Sequence, residues 1–158
     1  MKRFALSILF SSMISLPVWA QEGPKTVDFG PLETLVIEGA NGSNSFNVEI
    51  ADTDEEQAHG LMYRENLPAD QGMLFEFEEP KIATIWMKNT PISLDILFVR
   101  SNGKILKIEH FAKPYSLRSA SSEGVVAAVV ELNGGRARDL GIMPGDVVKH
   151  PFFGNAEN

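Results

Sequence analysis

Cysteine is absent, which excludes disulfides, thiolate metal sites, a cysteine nucleophile and a lipid anchor on an N-terminal cysteine. Histidine is scarce: His59, His110 and His150 fall in separate segments, with no His-Glu-x-x-His signature. A hydrolytic zinc site usually needs three protein ligands, so neither a metal nor a cofactor is expected. Gly-x-Ser-x-Gly and phosphate-cradling glycine loops are also missing, which argues against serine nucleophiles and nucleotide binding. Positive charge is short, 14 Lys+Arg against 21 Asp+Glu, for a net −7. An acidic surface repels phosphate backbones, so nucleic acid is not an expected partner.

No apolar run reaches the ~20 residues a membrane-spanning helix needs. The run Phe4 to Leu16 is interrupted by serines, follows basic Lys2-Arg3, and leads through Pro17 to Val18-Trp19-Ala20. That is the layout of a secretory signal peptide with cleavage at about Ala20-Gln21. The expectation is a periplasmic or secreted protein with no stable membrane anchor after cleavage. Cleavage would remove Lys2 and Arg3 and no acid, taking the charge from −7 to −9. Residues 21–33, with Gly23, Pro24, Gly30 and Pro31, read as a flexible lead-in. One domain is expected over 34–150, with 151–158 as a tail; a chain of this size can bury a full core.

Within that domain β-prone runs dominate. Thr34–Glu38 and the alternating Phe46, Val48, Ile50 flank Asn41-Gly42, a hairpin signal. Asp52-x-x-Glu55 has the spacing of a capping box and predicts a helix that weakens at Gly60. Strands follow at Met73–Phe77, Ile82–Met87 and Leu94–Arg100, with a turn expected at Glu78–Lys81. Asn102-Gly103 predicts a tight hairpin into Lys104–Phe111. Lys113–Gly124 reads as a polar loop and Val125–Leu132 as a buried central strand. Asn133 is a candidate cap for a second short helix stopped by Gly141, and Val147–Lys149 a last strand. The class is mainly β: a single-domain β-sandwich or partly closed β-barrel with two short helices.

Several pieces of this chain resemble a known family. They are His59-Gly60-Leu61-Met62-Tyr63-Arg64, Gly72-Met73-Leu74-Phe75-Glu76-Phe77 and Trp86-Met87-Lys88-Asn89-Thr90. Pro91-Ile92-Ser93-Leu94-Asp95-Ile96-Leu97-Phe98, Val130-Glu131-Leu132-Asn133-Gly134-Gly135 and Gly141-Ile142-Met143-Pro144-Gly145-Asp146 complete the set. In this order they are similar to the prokaryotic domain of unknown function number 192, over about residues 46 to 149. Ser93 stands where that pattern has proline. The resemblance implies a compact, often exported, all-β domain, and no established activity.

Three groups of residues could carry chemistry. On a strand, Thr84, Trp86 and Lys88 would share one face, and Ala83, Ile85 and Met87 the other. A ring beside a hydroxyl and an ammonium suits a groove wall; the plainer reading is a core or rim tryptophan with Lys88 snorkelling to water. Asp95 and Glu131 interrupt apolar runs, and a carboxylate there needs a partner. They are either structural clamps, with Arg64 and Lys88 as the nearby neutralising cations, or a general acid–base pair. Glu55 and His59 would share a helix face, half of a metal site.

The first functional reading is a small binding module for a polar, envelope-derived ligand, saccharide or peptide. Its candidate binding residues are Arg64, Trp86, Lys88, Asn89, Thr90 and Asp95. One alternative is a structural or protein-interaction domain with no small ligand. The other is a metal-independent hydrolase or lyase using Asp95 and Glu131 as catalytic candidates.

Overall fold

The computed structural model describes residues 27–156, so the signal-peptide reading and the start of the lead-in, residues 21–26, lie outside the described residues. Strands β1 (Glu33–Gly39) and β2 (Gly42–Ala51) form the hairpin expected across Asn41-Gly42, with Gly42 at a φ of 115°. Helix α1 (Asp54–His59) follows. Its capping box is one residue later than expected. Thr53 Oγ1 accepts from Glu56 N–H at 3.2 Å, and Glu56 Oε2 accepts from Thr53 N–H at 3.0 Å and Asp52 N–H at 3.1 Å. Then come β3 (Gln71–Ile85), β4 (Leu94–Val99), β5 (Ile105–Ala112), β6 (Ala120–Asn133), α2 (Arg136–Asp139) and β7 (Val147–Lys149).

All seven strands form one sheet, in the order β5-β4-β6-β3-β2-β1-β7. Every pairing is antiparallel except β2–β3, whose parallel register needs a crossover, and residues 52–70 supply it around α1. The sheet curls until its edges approach. Lys104 bridges Val147, and Val148 N–H donates to Gly103 C=O at 2.8 Å. Of the two architectures allowed by the sequence, this is the partly closed barrel.

Two predicted breaks are absent. Glu78–Lys81 is not a turn: β3 runs through it, with Phe77–Pro80 standing opposite Ala127 alone. Such an irregularity accommodates Pro80, which has no N–H to give a ladder. Nor is Lys113–Gly124 loop throughout, since β6 begins at Ala120. The buried Ser122 hydroxyl accepts from Ala83 N–H at 2.9 Å and donates to Gly124 C=O at 2.7 Å, replacing ladder bonds at a second register shift.

Apolar residues cover both sheet faces. Inside the curl all seven strands contribute, from Leu35 and Phe46 through Leu74, Leu97, Ile105 and Val130 to Val148. On the outer face of β3, β4 and β6, Met73, Phe75, Ile96 and Val129 pack under Leu61, Leu67 and Met87 from the connecting segments. With both faces covered, β4 is buried at every position and β6 reads as a near-continuous apolar run.

Candidate functional site

At the end of β3 the chain leaves the sheet after Ile85 and turns at Lys88-Asn89, where Asn89 takes a φ of 55°. Three loops meet there through their backbones. Tyr63 N–H donates to Asn89 C=O (2.7 Å), Tyr115 N–H to Thr90 C=O (3.1 Å) and Met87 N–H to Ser116 C=O (2.9 Å). Tyr63 and Tyr115 also have positive φ, 63° and 60°. Asparagine tolerates that region, whereas a tyrosine there stores strain of about 1 kcal/mol or more. Strain of this kind persists where surrounding bonds over-determine the backbone, as these cross-loop bonds do.

The alternation expected at this segment holds in part. Ala83 and Met87 are buried in the core, while Thr84, Trp86 and Lys88 line a cavity of about 80 Å³; Ile85, expected on the Ala83 face, borders that cavity as well. His59, Thr90 and Glu131 line it too. Outside it lies an open vestibule of about 450 Å³, which shares His59, Met62, Trp86 and Lys88 and adds Tyr63 and Asn89. Trp86 is 50% exposed, with the Lys88 ammonium 5.3 Å from its ring centre. Asn89 Nδ2 donates to Tyr63 Oη at 2.8 Å, so the vestibule wall is itself hydrogen-bonded.

Glu131 is the least exposed polar residue lining the cavity, level with Thr90. It is 4% exposed, and among the described residues its carboxyl makes no hydrogen bond or ion pair. Its cross-strand neighbours are Met73 on β3 and Ile96 on β4, both fully buried. That apolar setting disfavours the ionised form, and burial pushes the carboxyl up to about 8.

Asp95 does different work. Opposite faces of the sheet separate it from Glu131: Asp95 pairs with Leu132, and Glu131 with Ile96. Side chains of directly paired residues share a face, so the two carboxyls point away from each other. The acid–base pair that the sequence left open as an alternative is therefore not assembled, and for Asp95 the structural clamp is what the fold shows. Asp95 is fully buried, and its two oxygens accept from Phe111 N–H and Ala137 N–H, each at 2.9 Å. It holds Phe111, a strained residue of β5 at φ 52°, and caps α2 from another strand. Asn133, the expected cap, instead ends β6 and donates to Leu67 C=O at 2.7 Å. Arg64 neutralises neither carboxyl; its guanidinium pairs with Glu49 at 2.6 Å. Arg64 and Asp95 thus stand outside the pocket, while Trp86, Lys88, Asn89 and Thr90 line it or its vestibule.

Glu55 and His59 both lie on α1, and both border the vestibule. Among the described residues, no three His, Asp or Glu side chains gather as a metal site. Tyr63 and Met62 were not singled out from the sequence as site residues. Their signal was the stretch His59–Arg64, whose role emerges when the crossover lays it beside Asn89.

Fold and pocket together define a small, mainly β domain: a curled seven-stranded sheet with a polar, aromatic-rimmed pocket on its outer face. The chain belongs to the DUF192 family, described as "Uncharacterized ACR", whose profile matches residues 36–150. A protein of unknown function from Novosphingobium aromaticivorans DSM 12444 is similar in structure, at 36% identity and TM-score 0.75, over 81% of this chain and 100% of that one. So is a proposed transcription regulator from Sinorhizobium meliloti 1021, at 36% identity and TM-score 0.77, over 81% and 99%. No curated protein matches the sequence.

Proposed function

We propose that this domain is a small binding module of the cell envelope that takes a polar ligand, saccharide or peptide, in the pocket beneath Trp86. One observation carries the reading: a carboxyl without a protein partner, Glu131, 4% exposed, lines the same cavity as a half-exposed tryptophan. A carboxyl in an apolar setting is costly unless it is bonded, so one that meets a cavity and no protein partner fits a group supplied from outside. Lys88, Asn89 and Thr90 would orient the ligand and Trp86 would give it a platform. Asp95 and Arg64 are left out of this proposal because their polar atoms are committed elsewhere.

The envelope location rests on the residues up to Ala20. It predicts a periplasmic or secreted product starting near Gln21; an intact N-terminus on the purified native protein would refute it. The regulator description of the Sinorhizobium protein is not extended to this chain. A net charge of −7 opposes DNA, and neither α1 nor α2 has the length of a recognition helix. A protein-interaction role without small ligand is the second reading, favoured by Tyr115 and Leu117, 63% and 70% exposed in the loop bonded to Thr90.

The test titrates the wild type and Trp86→Ala with panels of sugars and peptides by isothermal titration calorimetry, because Trp86 is the only tryptophan after Ala20 and the variant has no tryptophan fluorescence of its own to follow. Trp86→Ala is expected to keep its circular dichroism and lose at least ~10-fold in affinity, about 1.4 kcal/mol. Unchanged affinity for every ligand the wild type binds would refute the reading.

A further inference from the structure

The small cavity and the larger vestibule share Trp86 and Lys88, and the two differ in what they can hold. We propose, resting on the binding reading above, that the small cavity beside Glu131 receives the acetamido group of an N-acetylated hexosamine whose ring lies against Trp86.

Size is the first argument. A cavity of roughly 150 Å³ takes the six carbons of benzene. By proportion, the 80 Å³ beside Glu131 takes about three heavy atoms, the carbonyl carbon, oxygen and methyl of an acetamido substituent whose nitrogen stays at the rim. A hydroxymethyl group would leave about a third of that space empty. The vestibule, at about 450 Å³, has room for the sugar ring.

Chemistry is the second argument. An acetamido group presents a carbonyl acceptor, an N–H donor and a methyl. The protonated Glu131 carboxyl supplies an O–H donor for the carbonyl, and burial keeps that proton on through neutral pH. The Thr84 hydroxyl lines the same cavity and can accept from the N–H. Leu61, Phe75 and Ile85 offer the methyl an apolar wall. A free amine fits worse, because Lys88 and His59 border both the cavity and the vestibule and Lys88 would repel it. At the mouth, Trp86 and Tyr63, each about half exposed, give the sugar a ring surface.

The experiment titrates the full chain with N-acetylglucosamine, glucose and glucosamine, reading amide shifts and saturation transfer to the sugar protons. N-acetylglucosamine should bind at least ~10-fold more tightly than the other two, with its acetyl methyl receiving the strongest transfer. Thr84→Leu crowds the small cavity from an exposed strand position at its rim, at little cost to the core, and should abolish that preference. Trp86→Ala should weaken all three sugars. Equal binding of glucose and N-acetylglucosamine, unaffected by Thr84→Leu, would overturn the acetamido assignment and leave the groove reading standing. So would a peptide that binds at Trp86 when no sugar does. Silence of Trp86→Ala toward every ligand would overturn both.

Discussion

Two buried carboxyls in neighbouring strands have opposite fates, and the difference is a matter of partners. Asp95 satisfies two backbone amides and is part of the scaffold. In Asp95→Asn the amide nitrogen cannot accept, so one of Phe111 N–H and Ala137 N–H is orphaned. A loss of about 2–3 kcal/mol is expected in urea unfolding, with ligand affinity unchanged in the folded fraction. Glu131 has no such bonds, and its effect shows in pH dependence. The folded state holds the proton up to about pH 8, whereas the unfolded chain releases it near the ordinary value of 4.5. The stability contributed is therefore full below about 4.5 and lost as pH rises through 8. Glu76, pushed up to about 7 by burial and by the charges of Glu33 and Asp52, acts in the same sense. His150, lowered by burial, acts in the opposite sense as pH falls. Comparing the wild type with Glu131→Gln isolates the one group. The variant's melting temperature should exceed the wild type's at pH 8.5, by the equivalent of a few kcal/mol, and the two should converge near pH 5. Parallel pH curves would refute the assignment.

At the scale of elements, caps and loop pins decide local order. Helix α1 is six residues long and buries none fully, so its capping box matters more than packing. Thr53→Ala should cost ~1 kcal/mol in chemical unfolding and speed amide exchange at Glu56, whose N–H the hydroxyl accepts. The pocket loops show the other side of local control. Asn89 adopts positive φ with little strain, but Tyr63 and Tyr115 do not, and nothing in their own sequence announces the turn. Replacing Tyr115 with glycine would relieve φ strain while loosening the unfolded chain, so the net change in melting temperature should be small. A large loss would show that the exposed ring makes contacts of its own.

For the whole molecule, a sheet that closes only through a short edge strand should open there first. β4 and β6 are central and buried on both faces, while β7 has three residues, pairs with β1 and reaches back to the 103–105 turn. Native-state hydrogen exchange should rank Val129 and Leu97 near the global unfolding limit and Val148 well below it. Asn155 holds this edge by donating to Val148 C=O at 2.9 Å and accepting from His150 N–H at 3.1 Å. Asn155→Ala should lower Val148 protection selectively.

Local signals were legible where the physics is local. The turn at Met143–Asp146 located the last strand, Val147–Lys149, and alternation separated Ala83 and Met87 from Thr84, Trp86 and Lys88 but misplaced Ile85; turn chemistry located Gly42, Gly103 and Gly141. The capping-box reading missed by one residue because Asp52, Thr53, Glu55 and Glu56 offer two overlapping boxes, and only helix phase selects one. Proline 80 suggested a turn because a continuing strand with a four-residue irregularity leaves no local mark. The composition, the mainly β class and the family were determined by the sequence alone, because residue preferences and period-two patterning act between near neighbours. Tertiary structure alone decided that Arg64 goes to Glu49, that Asp95 caps a helix 42 residues away, and that Glu131 faces a cavity instead of Asp95. Those outcomes depend on the register between distant strands, where a shift of one residue would exchange the two faces.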